Sequence, residues 1–88
     1  MKEIELCIKN KLGLHARPAA LLVRTAAKFR SDIFISRDSQ VVNGKSIMGV
    51  MMLAAENGAQ LVISAKGEDE NDAVDALTDL FEKKFNEE

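Results

Sequence analysis

Eighty-eight residues, 47% hydrophobic and 30% charged, leave room for one compact domain around one modest core. Twelve Lys and Arg against fourteen Asp and Glu give a net charge of −2, with no basic excess for nucleic acid. No apolar run approaches the roughly 18–20 residues that span a bilayer, the start lacks a signal-peptide core, and the lone Cys7 has no internal disulfide partner, so a cytoplasmic, reducing location is expected.

Lys2 to Ile8 alternates, with Ile4, Leu6 and Ile8 on one side and Glu3, Glu5 and Cys7 on the other, which predicts a half-buried strand. Asn10 to Gly13 is a loop. From Ala16 to about Phe29, the positions Ala19, Leu22, Val23, Ala26 and Phe29 recur at helical spacing. Pro18 suits a first helical turn but biases Arg17 away from the α region, which leaves the helix start open between Ala16 and Pro18. Ile33 to Ser36 reads as a short strand, turned at Arg37-Asp38-Ser39 and paired with Gln40 to Val42. After the Asn43-Gly44 turn, Ser46 takes the N-cap of a short apolar helix running from Ile47 to Ala55, stopped by Asn57-Gly58. Ala59 to Ala65 is a strand with Leu61, Ile63 and Ala65 on one face. Gly67 breaks it, and Asp69 is placed to cap a last helix whose inward stripe is Ala73, Val74, Leu77, Leu80, Phe81 and Phe85. The order β-α-β-β-α-β-α, without repeat or linker, predicts a single α+β domain over residues 1–88 with helices on one face of a sheet.

The chemistry concentrates in Gly13-Leu14-His15-Ala16-Arg17-Pro18-Ala19. His15 is the only histidine and falls at or just before a helix start, where unpaired backbone N–H groups and the helix dipole favour an anion. An exposed imidazole is mostly neutral at pH 7 and can take up a phosphoryl group. The charge of about −2 that results can be met by the Ala16 and Arg17 amides and the Arg17 guanidinium. Such transfer needs little beyond positioning and charge stabilisation, so a surface loop suffices. Taken singly, a loop histidine is more often just solvated and Arg17 an ordinary surface arginine; the pairing carries the signal. One His and a distant Cys make no metal ligand set, and no nucleophile elbow marks a Ser-His-Asp hydrolase.

Charge is unevenly spread. Arg17, Arg24, Lys28 and Arg30 gather on and after the first helix, with Lys45 before the second, whereas nine acidic side chains follow from Glu68 to Glu88. A basic face on an acidic protein suits an acidic partner, although two ordinary solvated helix faces would look the same. Met48, Met51 and Met52 belong first to a helix core. A helix that short cannot bury Ile47, Met48, Val50, Met51, Met52 and Leu53 on one side, so some are expected outside, where methionines suit varied partners.

These residues resemble the HPr family, the histidine-containing phosphocarriers of the bacterial sugar phosphotransferase system. Gly13 to Ala19 reproduces its active-site motif, Val42 to Met51 resembles its regulatory-site motif, and the likeness spans essentially the whole chain. The resemblance implies an open-faced β-sandwich of four antiparallel strands with three helices over one face. It implies a monomeric carrier without cofactor or metal, not an enzyme in the usual sense. His15 would accept phosphate on Nδ1 from phosphorylated enzyme I and pass it to IIA components of sugar permeases, with Arg17 stabilising the group. Ser46 would be the site of an HPr kinase/phosphorylase. Ile47, Met48 and Met51 would form the docking surface, with Arg24 and Lys28 at its basic margin. Two positions depart from the pattern: Gly44 stands where many relatives carry a larger apolar residue, and Met52 where a small or polar one is common. Two other readings keep the same residues: a nitrogen-branch phosphocarrier, or a regulatory module binding a transcription regulator through the Met48 and Met51 face.

Overall fold

Period-two alternation becomes a four-stranded antiparallel sheet of β1 (Lys2–Cys7), β2 (Asp32–Arg37), β3 (Gln40–Asn43) and β4 (Gln60–Lys66), in the spatial order β1-β4-β2-β3. The structure is a computed structural model and describes residues 1–87; Glu88, counted above among the acidic charges, lies outside them. Ile4, Ile63, Ile35 and Val42 are direct partners across the four strands and form one row of the inner face. Alternate residues point to opposite faces, so Glu3, Ser64, Phe34 and Asn43 form a row on the outer one. The inner face is covered by α1 (Ala16–Ala26), α2 (Ile47–Met52) and α3 (Glu70–Glu82). Ala19, Leu22 and Ala26 of α1 and Ala73, Leu77 and Phe81 of α3 are all essentially buried against the sheet's Ile33, Ile35, Leu61 and Ile63. At about 1.5–3 kcal/mol for each large apolar side chain removed from water, this shared core holds the layers together. Among the described residues no helix is long and apolar enough to cross a membrane.

Helix ends depart from expectation in three places, the C-termini of α1, α2 and α3, the last stopping at Glu82 with Phe85 beyond it in a positive-φ turn. Of the two starts the sequence leaves open, the first helix takes Ala16: the Ala19 N–H donates to the His15 carbonyl at 2.9 Å and closes the first turn. Pro18 stands where its missing N–H would have had no intrahelical acceptor, and its buried ring outweighs the bias against a helical Arg17. The same helix ends at Ala26, not Phe29, because the Lys28 and Phe29 N–H groups donate only three residues back, to Thr25 and Ala26, and tighten the chain out of the α geometry. Phe29 still packs on the core.

The second helix stops at Met52 instead of Ala55. Arg37, at the end of β2, donates to the Leu53 and Ala54 carbonyls at 3.2 and 3.0 Å, and Ala54 turns to φ 47°. Its terminal carbonyls are thus met by a side chain from another element. Asn57 ties loops together instead of capping, its amide donating to the Lys9 and Asn10 carbonyls. Asp69 precedes α3 but makes no side-chain cap to it. Its carboxylate accepts from the Ser31 hydroxyl, the Arg30 N–H and the Ser31 N–H, and these bonds hold it at a pKa of about 2. The absent side chain at Gly44 also has a reason: a Cβ there would stand 2.7 Å from Ile33 Cγ2, while the Gly44 N–H donates to the Ile33 carbonyl.

Candidate functional site

The site is built on the loop from Ile8 to Leu14 that joins β1 to α1. Ile8 pairs with Ala59 and Gly58, and the Leu14 N–H donates to the Ala55 carbonyl at 2.8 Å. Gly13 turns the chain at φ 73°, and a Cβ there would lie 2.5 Å from the Ala55 oxygen and 2.9 Å from Glu56 Cα. Only glycine meets both demands. Asn10, buried, closes the turn from within by donating from Nδ2 to the Gly13 carbonyl at 2.6 Å. The loop is therefore pinned on both sides before the chain reaches His15.

His15 is the N-cap residue of α1, in extended conformation, with its side chain 38% exposed. Its ring makes no cap bond, so it is free to face outward. Among the described residues the Ala16 and Arg17 N–H groups have no protein acceptor, Pro18 has no N–H, and Ala19 is engaged. Both amides are therefore open to solvent. The Arg17 side chain is exposed and makes no ion pair among the described residues.

One partner was not legible beforehand. His15 Nε2 lies 2.9 Å from Glu87 Oε2, and the other carboxylate oxygen of Glu87 accepts from Asn10 Nδ2 at 2.9 Å. The Asn10 amide, then the His15 ring and the Arg17 guanidinium, hold the Glu87 carboxyl below the ordinary glutamate range against a smaller opposing effect of burial. Glu87 is brought there by a turn over Lys84–Asn86 in which all three residues have positive φ, between 55° and 60°. Phe85 anchors that turn, buried with its ring centroid 4.9 Å from that of Phe81. Arg17 and Glu87 share an open basin of about 870 Å³ with Lys9, Lys11 and Lys84. In the lining of that basin Glu87 is the one carboxylate among four cationic side chains, of which Lys9 also pairs with Glu82.

The remaining predicted residues lie around α2 and along α1. Ser46 caps α2, its Oγ accepting from the Gly49 N–H at 3.1 Å. Met48 and Met52 are 75% and 66% exposed, and Ile47 and Met51 about two-fifths, while Val50 alone of that helix is buried. Arg24 and Lys28 are exposed, and Lys28 lines a cleft with Leu21 and Thr25 against Asp79, Leu80 and Lys83. Lys45 is drawn inward, its Nζ donating to the Phe29 carbonyl at 2.7 Å. Among the described residues no three His, Cys, Asp or Glu side chains gather as a metal site.

Among the described residues, the site is a surface imidazole at a helix start, beside two amides without protein acceptors and a guanidinium without an ion pair, the arrangement of a carrier class and not of an enclosed substrate pocket. The chain belongs to the HPr family: the family model described as the PTS HPr component phosphorylation site matches residues 2–83. It is 52% identical to the phosphocarrier protein HPr of Xylella fastidiosa, over all of this chain and 99% of that one. It is also 47% identical to the HPr-like protein Crh of Halalkalibacterium halodurans, over 94% of this chain and 99% of that one. The crystal structure of HPr from Thermoanaerobacter tengcongensis superimposes with a TM-score of 0.97 at 56% identity, covering 100% of this chain and 99% of that one. The open-faced α+β sandwich and the phosphotransferase-system phosphocarrier family are those expected from the motifs.

Proposed function

We propose that this chain accepts a phosphoryl group on His15 Nδ1 from phosphorylated enzyme I and hands it to IIA components of sugar permeases. The observation that carries the reading is the exposed His15 ring at the α1 start, set over the Ala16 and Arg17 amides and beside the Arg17 guanidinium, none of which has a partner among the described residues. Together these groups meet the charge of about −2 on the transferred group. Ile47, Met48 and Met51 serve as the apolar docking face, with Arg24 and Lys28 steering acidic partners from further along α1. Incubation with phosphoenolpyruvate and enzyme I will place an acid-labile, alkali-stable phosphate on the wild-type chain. His15→Ala will abolish that label, and label persisting in the variant overturns the assignment.

A regulatory layer is supported by Ser46, which stands at the head of this apolar face. Phosphorylation there by an HPr kinase/phosphorylase would set about two negative charges beside Ile47 and Met48 and repel an acidic partner, slowing the histidine relay. The likeness to Crh, named for catabolite repression in one solved structure, supports a regulatory role.

A further inference from the structure

We propose that Glu87, held by Asn10, is a positioning residue for phosphoryl acceptance: its carboxylate keeps the ring proton of His15 on Nε2, so that Nδ1 carries the lone pair that attacks phosphorus. The inference rests on the carrier reading above and specifies how its site is set. An ionised carboxylate can only accept hydrogen bonds, so the 2.9 Å contact from His15 Nε2 to Glu87 Oε2 requires the proton on Nε2. In a neutral imidazole the other nitrogen is then the free base. Nothing else among the described residues bonds the ring, so this contact alone selects the tautomer.

Glu87 is itself constrained. Asn10 is 1% exposed, and its Nδ2 divides its two N–H groups between the Gly13 carbonyl and Glu87 Oε1. The carboxylate thus reports on the same turn that aims His15. The approach of the chain is also costly. Non-glycine residues at positive φ are each disfavoured, yet Lys84, Phe85 and Asn86 adopt it in succession. Burial of Phe85 against Phe81 and the two bonds made by Glu87 hold that conformation in place. Strain of this kind persists where the surroundings over-determine it, and it ends here on the reactive ring.

The chemistry balances without moving a proton. The Nδ1 lone pair attacks phosphorus, the N–P bond forms, and the donor's bond to phosphorus breaks with its electron pair leaving on the donor. The ring becomes positively charged as the bond forms, and the Glu87 carboxylate already faces that charge. On the onward step the acceptor attacks phosphorus, and the ring departs as a neutral imidazole with its proton still on Nε2. Both directions of the relay therefore use one tautomer.

The test reads the tautomer directly. At about pH 9, where an ordinary imidazole is neutral, the ¹⁵N shifts of the wild-type His15 ring will show the Nε2–H form alone. Glu87→Gln, whose amide both donates and accepts, and Glu87→Ala, which does neither, will show a mixture of tautomers. The rate constant for label acceptance from enzyme I will fall about three- to tenfold in both, with KM within about twofold because the methionine face is untouched. A purely structural Glu87 would change thermal stability and leave the tautomer alone. A ring that stays Nε2-protonated in both variants, or an unchanged rate despite a changed tautomer, overturns the positioning role. A wild-type chain that takes no label instead overturns the carrier reading, while the ring spectrum still decides whether Glu87 sets the tautomer.

Discussion

Replacing Gly13 by alanine tests whether the His15 loop is held by close backbone approach. At φ 73° an alanine is strained by about 1–2 kcal/mol. Its Cβ would stand 2.5 Å from the Ala55 oxygen, the acceptor of the Leu14 N–H, so that buried bond must stretch or break. Losing it costs about 1–3 kcal/mol, because both partners are then left unsatisfied. The second contact, 2.9 Å to Glu56 Cα, is also backbone and cannot rotate away. A stiffer unfolded chain offsets about 0.4–1 kcal/mol. The net loss comes to about 1–5 kcal/mol, below the middle of the range of about 4–13 kcal/mol for a chain this long. The variant will therefore fold, with a lower urea midpoint at unchanged slope. Because Leu14 leads directly into His15, the rate of label acceptance will fall with it. A loss under about 0.5 kcal/mol with a wild-type label rate would show that the loop does not depend on this contact.

Two further substitutions separate docking from stability. Met48→Asp places a charge on a side chain 75% exposed, so stability will stay within about 0.5 kcal/mol. Partner affinity will nonetheless fall about tenfold, read as a raised KM for enzyme I or by titration calorimetry. Asp69→Asn tests the anchor between the α1–β2 connection and α3. The folded Asp69 has its pKa lowered from 3.8 to about 2, so its stabilising effect is present above about pH 4 and disappears as pH falls through about 2. The stability gap between wild type and Asp69→Asn, followed by denaturant unfolding, will hold steady near neutrality and close across that acid window. A gap independent of pH would refute it.

Much of the site could be read beforehand because its parts are adjacent in the chain. Gly13, His15, Arg17 and Pro18 sit within six residues, and turn, cap and helix start follow from local rules that need no knowledge of the rest. The strands were legible for a similar reason: Ile4-Leu6-Ile8 and Leu61-Ile63-Ala65 alternate against a single buried face, and burial on one face leaves one register. Misjudged helix ends share a cause. Residues Ala27 to Phe29 and Leu53 to Ala55 continue the apolar pattern, but a tightened turn in the first case and the Arg37 side chain in the second end the helix regardless of pattern. Asp69 shows the same limit, since a good cap residue was claimed by Ser31, 38 residues away.

Glu87 marks where local reading stops. It lies 72 residues from His15 and 77 from Asn10, in a run of acidic side chains with no period or motif to single it out. Apolar spacing places Phe85 inward, but the position of Glu87 also depends on three successive residues accepting positive φ, which no local propensity favours. The division has a physical logic. On the proposed carrier reading, the groups that meet a new negative charge, the Ala16 and Arg17 amides and the Arg17 guanidinium, come from the helix start itself and are open to solvent. The carboxylate would be repelled by that same charge if it stood on the attacking side; it approaches instead from Nε2, across the ring from Nδ1. A chain segment far away in sequence can reach that side of the imidazole without crowding the face a partner must use.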